Sequence, residues 1–205
     1  MIGELLRGGA LDDPVRVHAI LAEHAAAVRR EIEAQRETLT RVERALALVA
    51  REGAAAPGVG AVVVKAVPEV RAAGLRRVVR VGQMLALARE VERSLASPPL
   101  GPRIHVYYNE DFDPDQVDVE ILYPVAGGDR VLPAATVAAI LLVGLDDGAA
   151  VGAAYGAVYD WIEARGRRDV GPPREVLLVG PEQGKEPVEQ VMELQVPIAS
   201  ANEEN

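Results

Sequence analysis

"VMELQVPI", residues 191–198, repeats in outline "DVEILYPV", residues 118–125. In each stretch an acid, Glu193 or Glu120, is followed by an apolar run that closes on a proline and one more aliphatic residue. Short β-prone runs of this kind, bounded by turn residues, read as strands. An internal echo is the mark of a repeated structural unit. Upstream of each echo the chain runs through the same order of elements. In the first copy "AVVVKAVPEVRAAGLRRVV" reads as a strand pair. The helical pattern "VGQMLALAREVERSLA" follows, with Val81, Met84, Leu85, Ala88, Val91 and Leu95 on one face, and then the strands "RIHVYYN" and "DVEILYPV". In the second copy "RVLPAATVAAILLVGL" precedes the helix "AAVGAAYGAVYDWIEARG" and the strands "REVLLVGP" and "VMELQVPI". The expected fold is therefore α+β, a duplicated strand–strand–helix–strand–strand unit about a pseudo-twofold axis, with a concave ligand pocket at the joint. Glu120 and Glu193 occupy equivalent places.

The strands carry carboxylates among apolar residues. Residues two apart in a strand share a face, so Glu175 joins Leu177 and Val179, and Glu193 joins Gln195. A carboxylate drawn out of water costs several kcal/mol unless it is paired or hydrogen-bonded. Two answers stay open: a cationic ligand, or an internal partner such as Arg174 or a tyrosine. The chain has only five tyrosines, one tryptophan and one phenylalanine, so each aromatic counts. Tyr155 lies at helical spacing with Val151, Val158 and Ile162, which places its ring in the core and its hydroxyl at the rim. Tyr107 and Tyr108 are adjacent on a strand and face opposite ways, and Tyr108 is taken as the one that lines the site. A tyrosine ring beside a carboxylate suits a cation.

Residues 13–53 read as one long helix, with Pro14 at its start and Gly53 at its stop. Ala25, Ile32, Leu39 and Leu46 fall on one heptad register and Leu21, Val28, Val42 and Val49 on the other, forming a seam that His18 and Gln35 interrupt. A helix of about 40 residues extends about 60 Å, further than a small domain covers, so the seam predicts a coiled-coil homodimer, the alternative being packing on the chain's own domain. "GAAAPGVG", residues 53–60, breaks the pattern as a linker.

Bulk properties exclude several classes. With 31 acidic residues against 22 basic ones the net charge is −9, which disfavours a nucleic-acid surface on this chain and favours a neutral or cationic partner. There is no cysteine, hence no disulfide and no thiolate metal site. His18, His24 and His105 show no metal-ligand spacing, and "NEDFDPDQVD" lacks the calcium-loop pattern, so no metal and no cofactor is expected. No run suits a membrane span or a secretory signal, and a cytoplasmic location is expected.

The run from "DVEILYPV" through "RVLPAATVAAILLVG", "AYGAVYDWIEARG" and "GPPREVLLVGPEQGKEPVEQVMELQVPI" resembles the GyrI-like effector-binding domain of MerR-type transcription regulators. The long helix resembles their dimerisation helix, and "IGELLRGG" is similar to the tail of their DNA-binding head; the head itself is not in the sequence. The resemblance implies a dimerisation region over 1–53, a linker over 54–60, an effector-binding domain over 61–198 and a disordered tail over 199–205. It implies a pocket for small, hydrophobic, cationic or neutral molecules, homodimerisation through the N-terminal helix, and DNA as a partner only where a head is present. "REVLLVGP" is similar to a strand that often reads "REVYLVGP", so Glu175 falls on the acidic position and Leu177 on the usual tyrosine. Glu193 falls on a second acidic position. In "AAILLVGLDD", Leu142, Leu145 and Asp146 stand where histidine, proline and tyrosine are common, which makes the pocket more aliphatic. The residues so implicated in ligand binding are Glu193, Glu175, Leu177, Tyr108, Tyr155 and Leu142. The resemblance also admits a stand-alone hydrolase in which a pocket glutamate activates water.

Overall fold

The structure is a computed structural model that describes residues 16–19, 21–26, 28–29, 61–145, 148–181, 184 and 186–199. The chain divides into two units, residues 1–40 and 41–205. The described residues of the first are helical, and the seam residues Leu21 and Val28 are exposed there. The heptad positions from Ile32 onward, and the linker, lie outside the described residues.

The second unit is built on one antiparallel sheet of eight strands: β1 (Val63–Val67), β2 (Val70–Val79), β3 (Ile104–Tyr107), β4 (Val117–Pro124), β5 (Arg130–Leu132), β6 (Ala135–Val143), β7 (Arg174–Val179) and β8 (Val191–Pro197). Two helices, α1 (Met84–Ser94) and α2 (Gly148–Ala164), connect β2 to β3 and β6 to β7. The strand order is β1-β6-β8-β7-β3-β4-β2-β5. It is a palindrome of the two repeats, with one departure from a side-by-side arrangement. β1 opens the first repeat yet pairs with β6 of the second, and β5 opens the second yet pairs with β2 of the first. Each half takes its edge strand from the other.

Register locates the axis. Val106 partners Glu120 and Val176 partners Glu193, so Val106 and Val176 are equivalent, and one residue earlier so are His105 and Glu175. These two are also each other's partners across the β3–β7 junction. The pseudo-twofold axis therefore passes between His105 and Glu175.

Both helices pack on the same face. Leu87, Ala88 and Val91 of α1 meet Val117, Val119, Ile121 and Tyr123 of β4. Ala154, Val158 and Ile162 of α2 meet Ala138, Ile140 and Leu142 of β6 and Met192, Leu194 and Val196 of β8. The sequence pattern placed Val81 and Leu85 on the buried stripe of α1; both are exposed, because the stripe turns toward Leu87. Among the described residues no helix packs on the opposite face, yet Ile104, Val106, Leu122 and Val176 on it are buried. Arg174 of the central strand β7 reaches the carbonyl of Pro133, beyond the edge strand β5, at 3.3 Å. Four strand spacings of a flat sheet would separate them by about 19 Å, so the sheet curls and this face becomes the inner one.

Just past the end of α2, the φ of 62° at Gly166 lets the Gly166 and Arg167 amides cap the carbonyls of Glu163 and Ile162. Its interior holds Gly152 and Gly156, exposed and with open space where a side chain would be. Each weakens the helix by about 1 kcal/mol relative to alanine, a loss that burial of Val158 and Ile162 at roughly 1.5–3 kcal/mol each offsets. Gly74 differs, since a β-carbon there would sit 2.1 Å from the Ile121 carbonyl oxygen. Gly152→Ala should stabilise the fold by about 0.5–1 kcal/mol. Gly74→Ala should destabilise it by about 1–3 kcal/mol through overpacking. Urea unfolding of the two variants reads both signs.

Candidate functional site

α1 packs on β2 and β4, and α2 on β6 and β8, which leaves the central strands β3 and β7 in the gap between the helices. Alternation along these strands turns His105, Tyr107, Glu175 and Leu177 toward that gap. Glu175 is 8% exposed. It accepts hydrogen bonds from the Tyr107 hydroxyl at 2.6 Å and the Tyr155 hydroxyl at 3.1 Å. His105 Nδ1 lies 3.7 Å from the carboxylate and 3.4 Å from the Tyr107 hydroxyl, and its buried Nε2 has no hydrogen-bond partner among the described residues. Burial lowers the His105 pKa from its ordinary value of 6.5, outweighing the pull of Glu175, so the imidazole is neutral at pH 7. Burial, then the Glu175 charge, raises the pKa of Tyr107 and of Tyr155, which holds both as hydroxyl donors. Leu177 is buried beside them.

The inner face is organised differently, because its carboxylates have cations. Lys65 of β1 donates to both oxygens of Glu193 at 2.6 Å, and Gln195 Nε2 donates to the same carboxylate. Arg130 Nε of β5 lies 3.5 Å from Glu120, which also accepts the Tyr108 hydroxyl at 2.8 Å. Lys65 faces Val137 and Arg130 faces Ala72, equivalent positions of β6 and β2, so the two ion pairs are copies of one another. Arg76 binds Asp118 through two contacts at 2.9 and 2.7 Å and lies 3.6 Å over the Tyr108 ring. Burial and the bond to Glu120 push the Tyr108 pKa up to about 12.

The six residues expected to bind ligand thus fall in three places. Glu175, Tyr155 and Leu177 come together between the helices. Leu142 is fully buried in the core beneath α2. Glu193 and Tyr108 lie on the inner face, so they do not share one concavity with Glu175. Residues 175 and 193 differ in side because Glu175 pairs with Leu194 and not with Glu193. Nor is Glu193, on the interior strand β8, bonded to Arg174: its cation is Lys65. Tyr107, not Tyr108, reaches Glu175. Strand alternation put the two tyrosines on opposite faces, and only the position of the helices decides which face holds the acid. His105, passed over as a metal ligand, is the equivalent of Glu175 and its neighbour on the axis. Among the described residues no cluster of histidine and acidic side chains is placed to hold a metal ion, and no helix is long and apolar enough to cross a membrane.

The fold is similar to that of the EcmrR C-terminal domain. The crystal structure of that domain superposes on this chain with a TM-score of 0.59 at 20% identity, over 68% of this chain and 98% of that one. EcmrR in its cryo-EM complex with DNA matches with a TM-score of 0.61 at 18% identity, over 98% of this chain and 76% of that one. A hydrolase encoded by lin2189 from Listeria innocua is more distant, with a TM-score of 0.42 at 14% identity over 68% of this chain and 92% of that one, too slight a likeness to bear on function. At these identities the first two establish a common fold, in keeping with the GyrI-like arrangement. No protein-family model matches the chain, and no curated protein matches it.

The buried imidazole makes stability pH-dependent. Its folded pKa is depressed, so below about pH 6.5 the unfolded chain binds a proton that the folded one refuses. The unfolding midpoint should hold steady from pH 8 to 7 and fall as pH drops below about 6.5. His105→Phe should flatten that slope, as thermal unfolding across the pH range will show.

Proposed function

We propose that this chain is the ligand-binding sensor part of a MerR-type transcription regulator, and that it takes a small hydrophobic cation between α1 and α2 against Glu175. One observation carries the reading. Glu193 and Glu120 on the inner face each have a lysine or arginine, whereas among the described residues Glu175, as buried as Glu193, is hydrogen-bonded by two neutral hydroxyls beside a neutral imidazole, with Arg103 felt by His105 and Tyr107 but in no ion pair with it. A buried carboxylate without a counter-charge is costly, and a cationic ligand supplies one. The tyrosine rings add π-faces for it. The similarity of the fold to a regulator domain supports the class of function, and Leu177 in place of a tyrosine gives the site an aliphatic wall. In the proposed assembly the helix of residues 13–53 pairs two chains, and DNA is reached only through a head of the full-length protein.

The lipophilic cation tetraphenylphosphonium tests this. At a hundredfold excess over its Kd it should stabilise the chain by about 2.7 kcal/mol, a rise in midpoint of about 5–10 °C. Glu175→Gln should abolish the rise and Glu193→Gln should not. The hydrolase alternative makes Glu175 a general base; slow release of p-nitrophenol from p-nitrophenyl acetate that Glu175→Gln eliminates would favour it over the sensor.

A further inference from the structure

Among the described residues the inner face of the sheet holds one cation with no acidic partner. Lys65 meets Glu193, Arg130 meets Glu120, and Arg76 meets Asp118. Arg174 meets no acid. Its side chain is turned to the same face as Val176 and Leu178, and the residue is 4% exposed. Both Nη atoms point at a single backbone carbonyl, that of Pro133, at 3.3 Å, and Nε has no hydrogen-bond partner. Desolvation lowers its pKa from the usual arginine value, opposed only by the Tyr108 hydroxyl, which is itself neutral. A guanidinium remains charged under any ordinary condition, so the face carries one uncompensated positive charge.

The duplication shows that the fold does not require it. The ion pairs Lys65–Glu193 and Arg130–Glu120 recur in both halves, but the equivalent of Arg174 in the first half is Ile104. An aliphatic residue fills that place without difficulty, so the arginine is a feature of one half alone. Around it lie Val106 and Gln195 as cross-strand partners, and the apolar cluster of Val106, Val176 and Leu178 with the partly buried Tyr108 and Leu141.

We propose that the inner face binds an amphiphilic monocarboxylate, whose carboxylate draws the Arg174 guanidinium from the Pro133 carbonyl into a bidentate contact and whose hydrocarbon body lies along the partly buried Tyr108 and Leu141. A planar carboxylate matches the guanidinium fork in a bidentate contact. One negative charge cancels the one left over, whereas a phosphate monoester with nearly two would overshoot. This site is on the opposite face from Glu175 and does not depend on it.

Calorimetric titration of the full chain with octanoate, 1-octanol and octyl phosphate tests the proposal. Octanoate should bind at least about tenfold more tightly than 1-octanol, the span of a charge-assisted hydrogen bond, and more tightly than octyl phosphate. Arg174→Met should lose about that factor for octanoate alone, and Glu175→Gln should leave octanoate binding unchanged. The thermal midpoint of Arg174→Met without ligand should match or exceed that of the parent. Arg174→Lys keeps the charge and loses the fork, so it should weaken octanoate binding; if Arg174→Met does not fold, this variant decides. Equal affinity for octanoate and 1-octanol, tighter binding of octyl phosphate, or octanoate binding undiminished in either arginine variant would overturn the proposal.

Discussion

Everything in the second unit depends on the pairing of β3 with β7 and on the exchange of edge strands that goes with it. The ladder between His105 and Glu175 joins the two repeats at their centre, while β1 and β5 cross to join them again at the rims. Neither half keeps a complete sheet alone, since each would lose the strand that covers its outer edge and expose a row of unpaired amides. The cations at those rims follow the same rule. Lys65 travels with β1 to neutralise a carboxylate of the other repeat, and Arg130 does so in return.

With the rims compensated in this way, the charges left over become informative. Between the helices a carboxylate sits on the axis with hydroxyls and a neutral imidazole for company; on the inner face a guanidinium sits beside the axis with a lone carbonyl. The two are adjacent in sequence, at 174 and 175, and the pleat sends them to opposite sides. One strand thus presents opposite charges to two separate environments. A ligand of either sign stabilises the fold by relieving a desolvation cost that folding has already incurred.

The duplication was legible in the sequence, because "EILYPV" and "ELQVPI" repeat an acid, an apolar run and a proline, and the strands and helices fall where their periods place them. The exchange of β1 and β5 was not, since hydrophobic period names the buried face of a strand and says nothing of which neighbour it pairs with. For that reason the sequence points to Arg174 or a tyrosine as the internal partner of Glu193, whereas the fold brings it Lys65, 128 residues away. The same gap explains the assignment of Glu193 and Glu175 to one concavity: their register, Glu175 opposite Leu194, is a property of the ladder. Tyr155 was legible, as helical spacing places its ring in the core and its hydroxyl at the rim, where it meets Glu175. Leu142 was carried to the site by resemblance, while its alternation with Ala138 and Ile140 places it in the core.

The exchange itself can be tested by cross-linking, and the absence of cysteine from the chain makes the readout unambiguous. Ala66 of β1 and Thr136 of β6 are direct cross-strand partners, close enough for a disulfide, which bridges Cα atoms about 4.4–6.8 Å apart. In the doubly substituted chain, Ala66→Cys with Thr136→Cys, mild oxidation should close an intramolecular bond quantitatively without lowering the unfolding midpoint. Two thiols that stay free, or that join only between chains, would mean that β1 lies elsewhere and that the repeats do not exchange their edges.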